Sequence, residues 1–312
     1  MRIVVDQAGN GDYTTIQEAV DAVPPGNTKP ATIVVGPGLY HEVVTVPADK
    51  PFITLAGATG DYADVTISYE NSAATITQGD GTAGSATVTV AASDLTATGI
   101  TFQNEWDYAA KHSQAVALRT VADRVTFYRC RFVSHQDTLY LDATSKTDTD
   151  RVYLRGCSIA GSVDFIFGPA TAVLDRCTIE GLDSGGYITA ASTQLAHPYG
   201  FLFTRCTFVS DAPAKTFYLG RPWHHSGDLF AVAQVVVRNC YLGAQVKDQS
   251  WTDMSGWSWV AARFYEYGNT GPGSGVSLFR PQLEEAETLR YTRESYLSGT
   301  DHWRPWALSQ VS

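Results

Sequence analysis

Five cysteines fall in nearly the same local phrase: Arg129-Cys130-Arg131-Phe132, Gly156-Cys157-Ser158-Ile159, Arg176-Cys177-Thr178-Ile179, Arg205-Cys206-Thr207-Phe208 and Asn239-Cys240-Tyr241-Leu242. They lie 27, 20, 29 and 34 residues apart, and Gly99-Ile100-Thr101-Phe102 fits the same frame 30 residues before Cys130. A phrase that returns at such intervals marks a solenoid, in which each unit buries its apolar side only by stacking on the next. The stretches between repeats are rich in Val, Ile, Thr and Phe and broken by Gly, Asp and Asn, without helical periodicity. The expected unit is therefore a coil of short strands, and the expected fold is all-β, a parallel β-helix. Side chains two positions apart share one face of a strand, so the thiols should form an inward ladder beside Phe132, Ile159, Ile179, Phe208 and Leu242. A disulfide set or a metal site fits less well, because the cysteine count is odd and no pair has C-x-x-C spacing.

The ends of the chain read differently. Ile16, Ala19, Val20 and Val23 share one helical face, Thr15 and Glu18 can form a capping box before it, and Pro24-Pro25 stops it. This short helix should cap the open N-terminal end of the solenoid. Helical patterning returns around Leu283-Glu284-Glu285-Ala286 and near Tyr296-Leu297, and these late helices should pack alongside. All 312 residues are accordingly expected to form one domain, 1–312. Charged residues are only 17% against 44% apolar, which excludes a disordered chain, and no apolar run reaches the length of a transmembrane span. A net charge of −10 argues against a nucleic-acid partner. The N-terminus reaches Asp6 before any apolar run of signal-peptide length, so either the protein stays inside the cell or a leader has been removed.

The repeat register also places acids. Asp137 and Asp164 each follow a ladder cysteine by seven residues. If Cys130 and Cys157 stack, the two carboxylates leave adjacent strands, about 4.8 Å apart, at equivalent positions. Two carboxyls that close cannot both ionise easily, so one becomes a proton donor beside a carboxylate nucleophile or base. Turns favour Asp in any case, and Asp107 stands seven residues after Ile100. The surroundings separate the cases: Gly161-Ser162-Val163-Asp164-Phe165-Ile166-Phe167-Gly168 sets a charge among large apolar residues, and Asp137 follows Gln136.

These segments resemble the signature blocks of pectin methylesterases, carbohydrate esterases built on a right-handed parallel β-helix. Matching blocks run in order along almost the whole chain, from Gly9-Asn10-Gly11-Asp12-Tyr13-Thr14-Thr15-Ile16-Gln17 and Gly38-Leu39-Tyr40-His41-Glu42 to Gln114-Ala115-Val116-Ala117-Leu118-Arg119 and Gln136-Asp137-Thr138-Leu139-Tyr140. Gly186-Tyr187-Ile188-Thr189-Ala190, Leu219-Gly220-Arg221-Pro222-Trp223 and Glu266-Tyr267-Gly268-Asn269-Thr270-Gly271-Pro272-Gly273 follow. The resemblance implies hydrolysis of galacturonate methyl esters in pectin, with methanol released. By the same match Asp164 is the nucleophile and Asp137 the general acid, then base. Gln136 and Gln114 would donate to the oxyanion, Arg221 would pair with Asp164, and Trp223 would stack on a sugar. Tyr140, Val163 and Phe167 fall at cleft positions of the family, and Trp251-Thr252-Asp253-Met254 resembles a loop bordering the cleft, which brings in Met254. No cofactor or metal is implied. The partner is methylated homogalacturonan, a monomer is expected, and family resemblance points to secretion.

Taken singly, several of these residues have plainer readings. Gln114 could satisfy a coil edge, Arg221 could anchor a loop, and Tyr140, Val163 and Phe167 could be core. One departure stands near the chemistry: Ser134-His135 replaces the Gly-Tyr usual before Gln-Asp in plant-type members, and strand alternation predicts that His135 points away from Gln136 toward the rim. A pectate lyase would need an acid cluster for calcium and a basic proton abstractor, and a hydrolase would need carboxylates flanking a glycosidic bond. Neither explains amides beside the acids. A non-catalytic binding β-helix or an esterase for another acyl group are the remaining alternatives.

Overall fold

The computed structural model describes residues 1–77 and 79–310. Three parallel sheets of ten, eight and seven strands run along the molecule, and every strand pairs with its counterpart one coil away. One turn of the coil is Val125–Tyr128, Arg131–Val133 and Leu139–Leu141; the next is Arg151–Arg155, Ser158–Gly161 and Val163–Gly168. This is a right-handed parallel β-helix.

The ladder register is the one expected from cysteine spacing. Arg131 pairs with Ser158 and with Thr101, Ser158 with Thr178, Thr178 with Thr207, and Thr207 with Tyr241. All five thiols are free and buried, and Phe132, Ile159, Ile179, Phe208 and Leu242 stack beside them in the core. The corner before each ladder position is made by one residue in the left-handed region: Gly99, Arg129, Gly156, Arg176, Arg205 and Asn239. That single residue turns the chain sharply between two sheets and starts the next strand in phase. It explains why each repeat phrase opens at the same place.

The N-terminal helix spans Ile16–Asp21, with the Thr15–Glu18 capping box formed and Ile16, Ala19, Val20 and Val23 buried. Glu42, from the Gly38–Glu42 block, accepts the backbone N–H groups of Ile16 and Gln17 at 2.8 and 3.0 Å. Lys50 donates to the Val20 and Asp21 carbonyls at the other end. Both helix ends are thus satisfied by the first coils, which locks the cap on the solenoid. The late region forms a 3₁₀ helix, Glu285–Arg290, and an α-helix, Arg293–Leu297. Leu283, Tyr296 and Leu297 pack on Tyr153, Val173, Leu202 and Val236, the outward side of the ten-stranded sheet. A short helix, Gly81–Gly84, capped by Asp80, was not anticipated; its Gly content hides it from periodicity.

Candidate active site

The seven-stranded sheet carries the chemistry-bearing residues. Gln136 bridges Val163 across one coil, Leu139 pairs with Ile166, and the Asp137 N–H donates to the Val163 carbonyl at 3.0 Å. The offset of 27 set at Cys130–Cys157 therefore persists through the acids, and Asp137 lies opposite Asp164. Both acids adopt left-handed backbone, with φ of 66° and 50°, and both are buried, at 8% and 5% exposure. Asp is among the few residues that tolerate this conformation. Beyond Asp164 the strand bulges: the offset to the following coil is 24 at Val163–Tyr187 and 23 at Ile166–Thr189, so one extra residue sits on the Asp164 strand. A bulge of this kind re-aims a side chain out of the regular pleat.

Arg221 grips Asp164 with two parallel bonds, Nε to Oδ1 at 2.9 Å and Nη2 to Oδ2 at 2.6 Å. Its own backbone N–H donates to Thr189, its guanidinium lies 3.7 Å over the Tyr187 ring, and Asp164 holds its pKa above the usual value against the effect of burial. Burial raises both carboxyls. For Asp137 the field of Asp164 adds to burial and the pKa stands well above the ordinary range; for Asp164 the Arg221 pair opposes the rise. Of the two, Asp137 is therefore the harder to ionise and Asp164, paired with Arg221, the easier.

Gln114 and Gln136 meet through the Ala115 N–H, which donates to the Gln136 carbonyl at 3.0 Å. Both are half-buried, and no side-chain hydrogen bond to protein occupies either amide among the described residues. Tyr140 and Phe167 stack at 4.3 Å, and the Trp223 ring meets both edge-on, at 6.2 and 5.7 Å. Phe167 and Tyr140 are both almost wholly buried, at 2% and 1% exposure, and support Trp223, with Tyr140 reaching the floor of an open cleft of about 560 Å³ that Asp80, Arg119, Asp142 and His225 also line. Val163 borders a second cleft of about 480 Å³. Met254 sits on a loop whose Trp257 stacks on His224 at 3.8 Å, next to Trp223, while Trp251 anchors that loop in the core against Phe264. His135 lies at the rim, with Nδ1 3.0 Å from Asp183 and its ring stacked on Tyr108.

Several residues here were not anticipated. Tyr187 underlies Arg221, Arg119 makes two bonds to Asp142 beside Tyr140, and His225 stacks on Trp223 at 4.7 Å. Tyr187 and Arg119 lie inside the matched blocks, so a signal existed for them. His225 belongs to an irregular loop without one. For Tyr187, counting from the cysteines fails because the turn before its strand lengthens the offset from 20 at Gly161–Gly181 to 24.

A family profile described as Pectinesterase matches residues 2–300. The chain is 38% identical to Pectinesterase 31 of Arabidopsis thaliana over 97% of this chain and 93% of that one. It superposes on the pectin methylesterase PemA from Erwinia chrysanthemi with a TM-score of 0.86 and 30% identity, covering 97% of both chains. A pectin methylesterase solved in complex with a hexasaccharide gives a TM-score of 0.85, again at 30% identity and 97% coverage of both. On the extent of these matches, which run through nearly every coil, the chain belongs to the pectinesterase family.

Proposed function

We propose that this protein hydrolyses the methyl esters of galacturonate in pectin, giving pectate and methanol, with Asp164 as nucleophile and Asp137 as acid and then base. The observation that carries the reading is the geometry of the acid pair: Asp137 lies opposite Asp164, and Arg221 bonds both oxygens of Asp164 alone, which favours its carboxylate and leaves Asp137 the harder to ionise. An Asp164 oxygen attacks the ester carbonyl carbon, and the negative charge that develops on the carbonyl oxygen is met by the amide N–H groups of Gln114 and Gln136. As the tetrahedral species collapses, the C–O bond to methoxide breaks and Asp137 donates its proton, releasing methanol and leaving an anhydride on Asp164. The Asp137 carboxylate then takes a proton from water, whose oxygen attacks the anhydride. The anhydride collapses to the Asp164 carboxylate and galacturonic acid, which gives its remaining proton to solvent as it leaves, and Asp137 is again protonated.

The same reading assigns Trp223, Tyr140, Val163 and Met254 to the polymer groove, with Phe167 holding Trp223 and Tyr140 in place. It takes residues 1–312 as a single domain acting as a monomer. Support for one domain comes from the largest buried cluster, which runs without a break from Ile3 to Phe264. The test is methanol release from highly methylated pectin with polymer length followed in parallel. Methanol without chain shortening is expected; an unsaturated uronide would mark a lyase and new reducing ends a hydrolase. Asp164→Asn keeps the shape but not the nucleophile, and should lower methanol release by at least about 10³-fold. Substantial turnover by that variant would place the nucleophile elsewhere.

A further inference from the structure

The 480 Å³ cleft on the Val163 side of the acids is lined by Tyr108, His112, His135 and Asp183, with Ser162 and Val163 leading directly into Asp164. Among the described residues, no lysine or arginine lines it. The Asp183 carboxylate is 43% exposed, and the one ion-pair partner found for it is His135, through Nδ1 at 3.0 Å. Tyr108 is clasped between imidazoles, stacked on His135 at 5.2 Å and 6° and meeting His112 at 4.4 Å. Burial raises the Tyr108 phenol, and the carboxylates of Asp183, Asp137 and Asp164 add to the rise. The wall of this cleft is therefore built of rings, and its charge is negative whenever the imidazoles are neutral.

A galacturonate unit bound there presents either a free carboxylate or an uncharged methyl ester. The carboxylate would face Asp183 without a cation to offset it, and Arg221 is already committed to Asp164. The ester meets no such opposition, and its methyl group can pack on Val163 and the Tyr108 ring. The other cleft carries a guanidinium, Arg119, which is bonded to Asp142.

We infer that Asp183 is a specificity-determining residue, making the Val163-side cleft accept methyl-esterified galacturonate and reject the free acid. The inference rests on the pectin methylesterase reading above and adds to it a named cause of pattern selectivity. Under it, the freshly made acid cannot rebind on that side, and successive turnovers need esterified sugar in that cleft.

The test compares kcat/KM per ester on two oligogalacturonides of equal length. One is fully methyl-esterified; in the other, alternate units are free acids. Assays run at low salt and about pH 8, where an ordinary imidazole is uncharged. The unsubstituted protein should lose about three- to tenfold on the mixed oligomer, mostly through KM, and high salt should shrink the loss. Asp183→Asn should reduce the loss to about twofold or less, and Asp183→Glu should retain it. Glu285→Gln, at an exposed carboxylate in the C-terminal segment on the outside of the ten-stranded sheet, removes the same charge from the whole protein and should leave the ratio unchanged. A ratio for Asp183→Asn equal to that of the unsubstituted protein overturns this inference alone, as does equal relief by Glu285→Gln. No methanol from the fully esterified oligomer with the unsubstituted protein overturns the functional reading and this inference with it.

Discussion

Asp137 and Asp164 both hold backbone that costs an L-residue on the order of 1–2 kcal/mol, and both lose water on folding. Their consequences differ because Arg221 bonds one of them. Removing that arginine, as in Arg221→Gln, should raise the Asp164 pKa further. Since attack requires the carboxylate, the acid limb of the kcat/KM profile should move to higher pH as the rate falls. A loss of rate with an unmoved limb would mean that Arg221 only shapes the site. Among the described residues Asp137 has no such partner, and its native pKa lies well above the unfolded value near 4. The native state keeps a proton that the unfolded chain releases, so this contribution is complete below about pH 4 and is lost as pH rises through the native pKa. Asp137→Asn escapes that loss. It should unfold at a higher temperature than the unsubstituted protein at neutral pH, with the gap closing toward about pH 4, while methanol release collapses. Thermal melts at both pH values decide it.

Among the elements, the left-handed corner and the cysteine ladder work together. Each corner is one residue long, so strand phase is set within a few residues and transmitted to the next coil by backbone pairing. Counting from Cys130 and Cys157 reaches the acids correctly for this reason: no insertion intervenes between the ladder and the catalytic strand in those two coils. The bulge after Val163 was not legible, because an extra residue in a strand leaves no mark in composition or periodicity. The ladder makes its own prediction. Every thiol is at most 2% exposed, so a water-soluble disulfide reagent should modify none of the five without denaturant and all five with it. Fast modification of the native protein would break the register on which the acid pair depends.

At the scale of the molecule, the C-terminal segment crosses the outside of the ten-stranded sheet and ties coils together. Arg151 binds Asp123 in the preceding turn, the Leu297 carbonyl at 2.9 Å, and Asp301 at 2.7 Å. Ending the chain at residue 284 would uncover Tyr153, Val173, Leu202 and Val236, a burial worth roughly 1.5–3 kcal/mol per side chain. Such a chain should bind a hydrophobic dye and unfold at lower denaturant, while the distant acid pair keeps its register; an unchanged midpoint would show that the segment only lies on the surface. What the linear order determined by itself was local: the repeat, the inward thiols, the capped N-terminal helix and the meeting of Asp137 with Asp164. All depend on phase carried over one coil, and backbone pairing preserves phase. The pairing of Arg221 with Asp164, 57 residues back, was legible only through the family resemblance, and only the tertiary structure decided that it forms over the Tyr187 ring and that Asp183 shares a cleft with Tyr108. Those contacts join turns of different lengths on different coils, and their positions follow from how the coils stack.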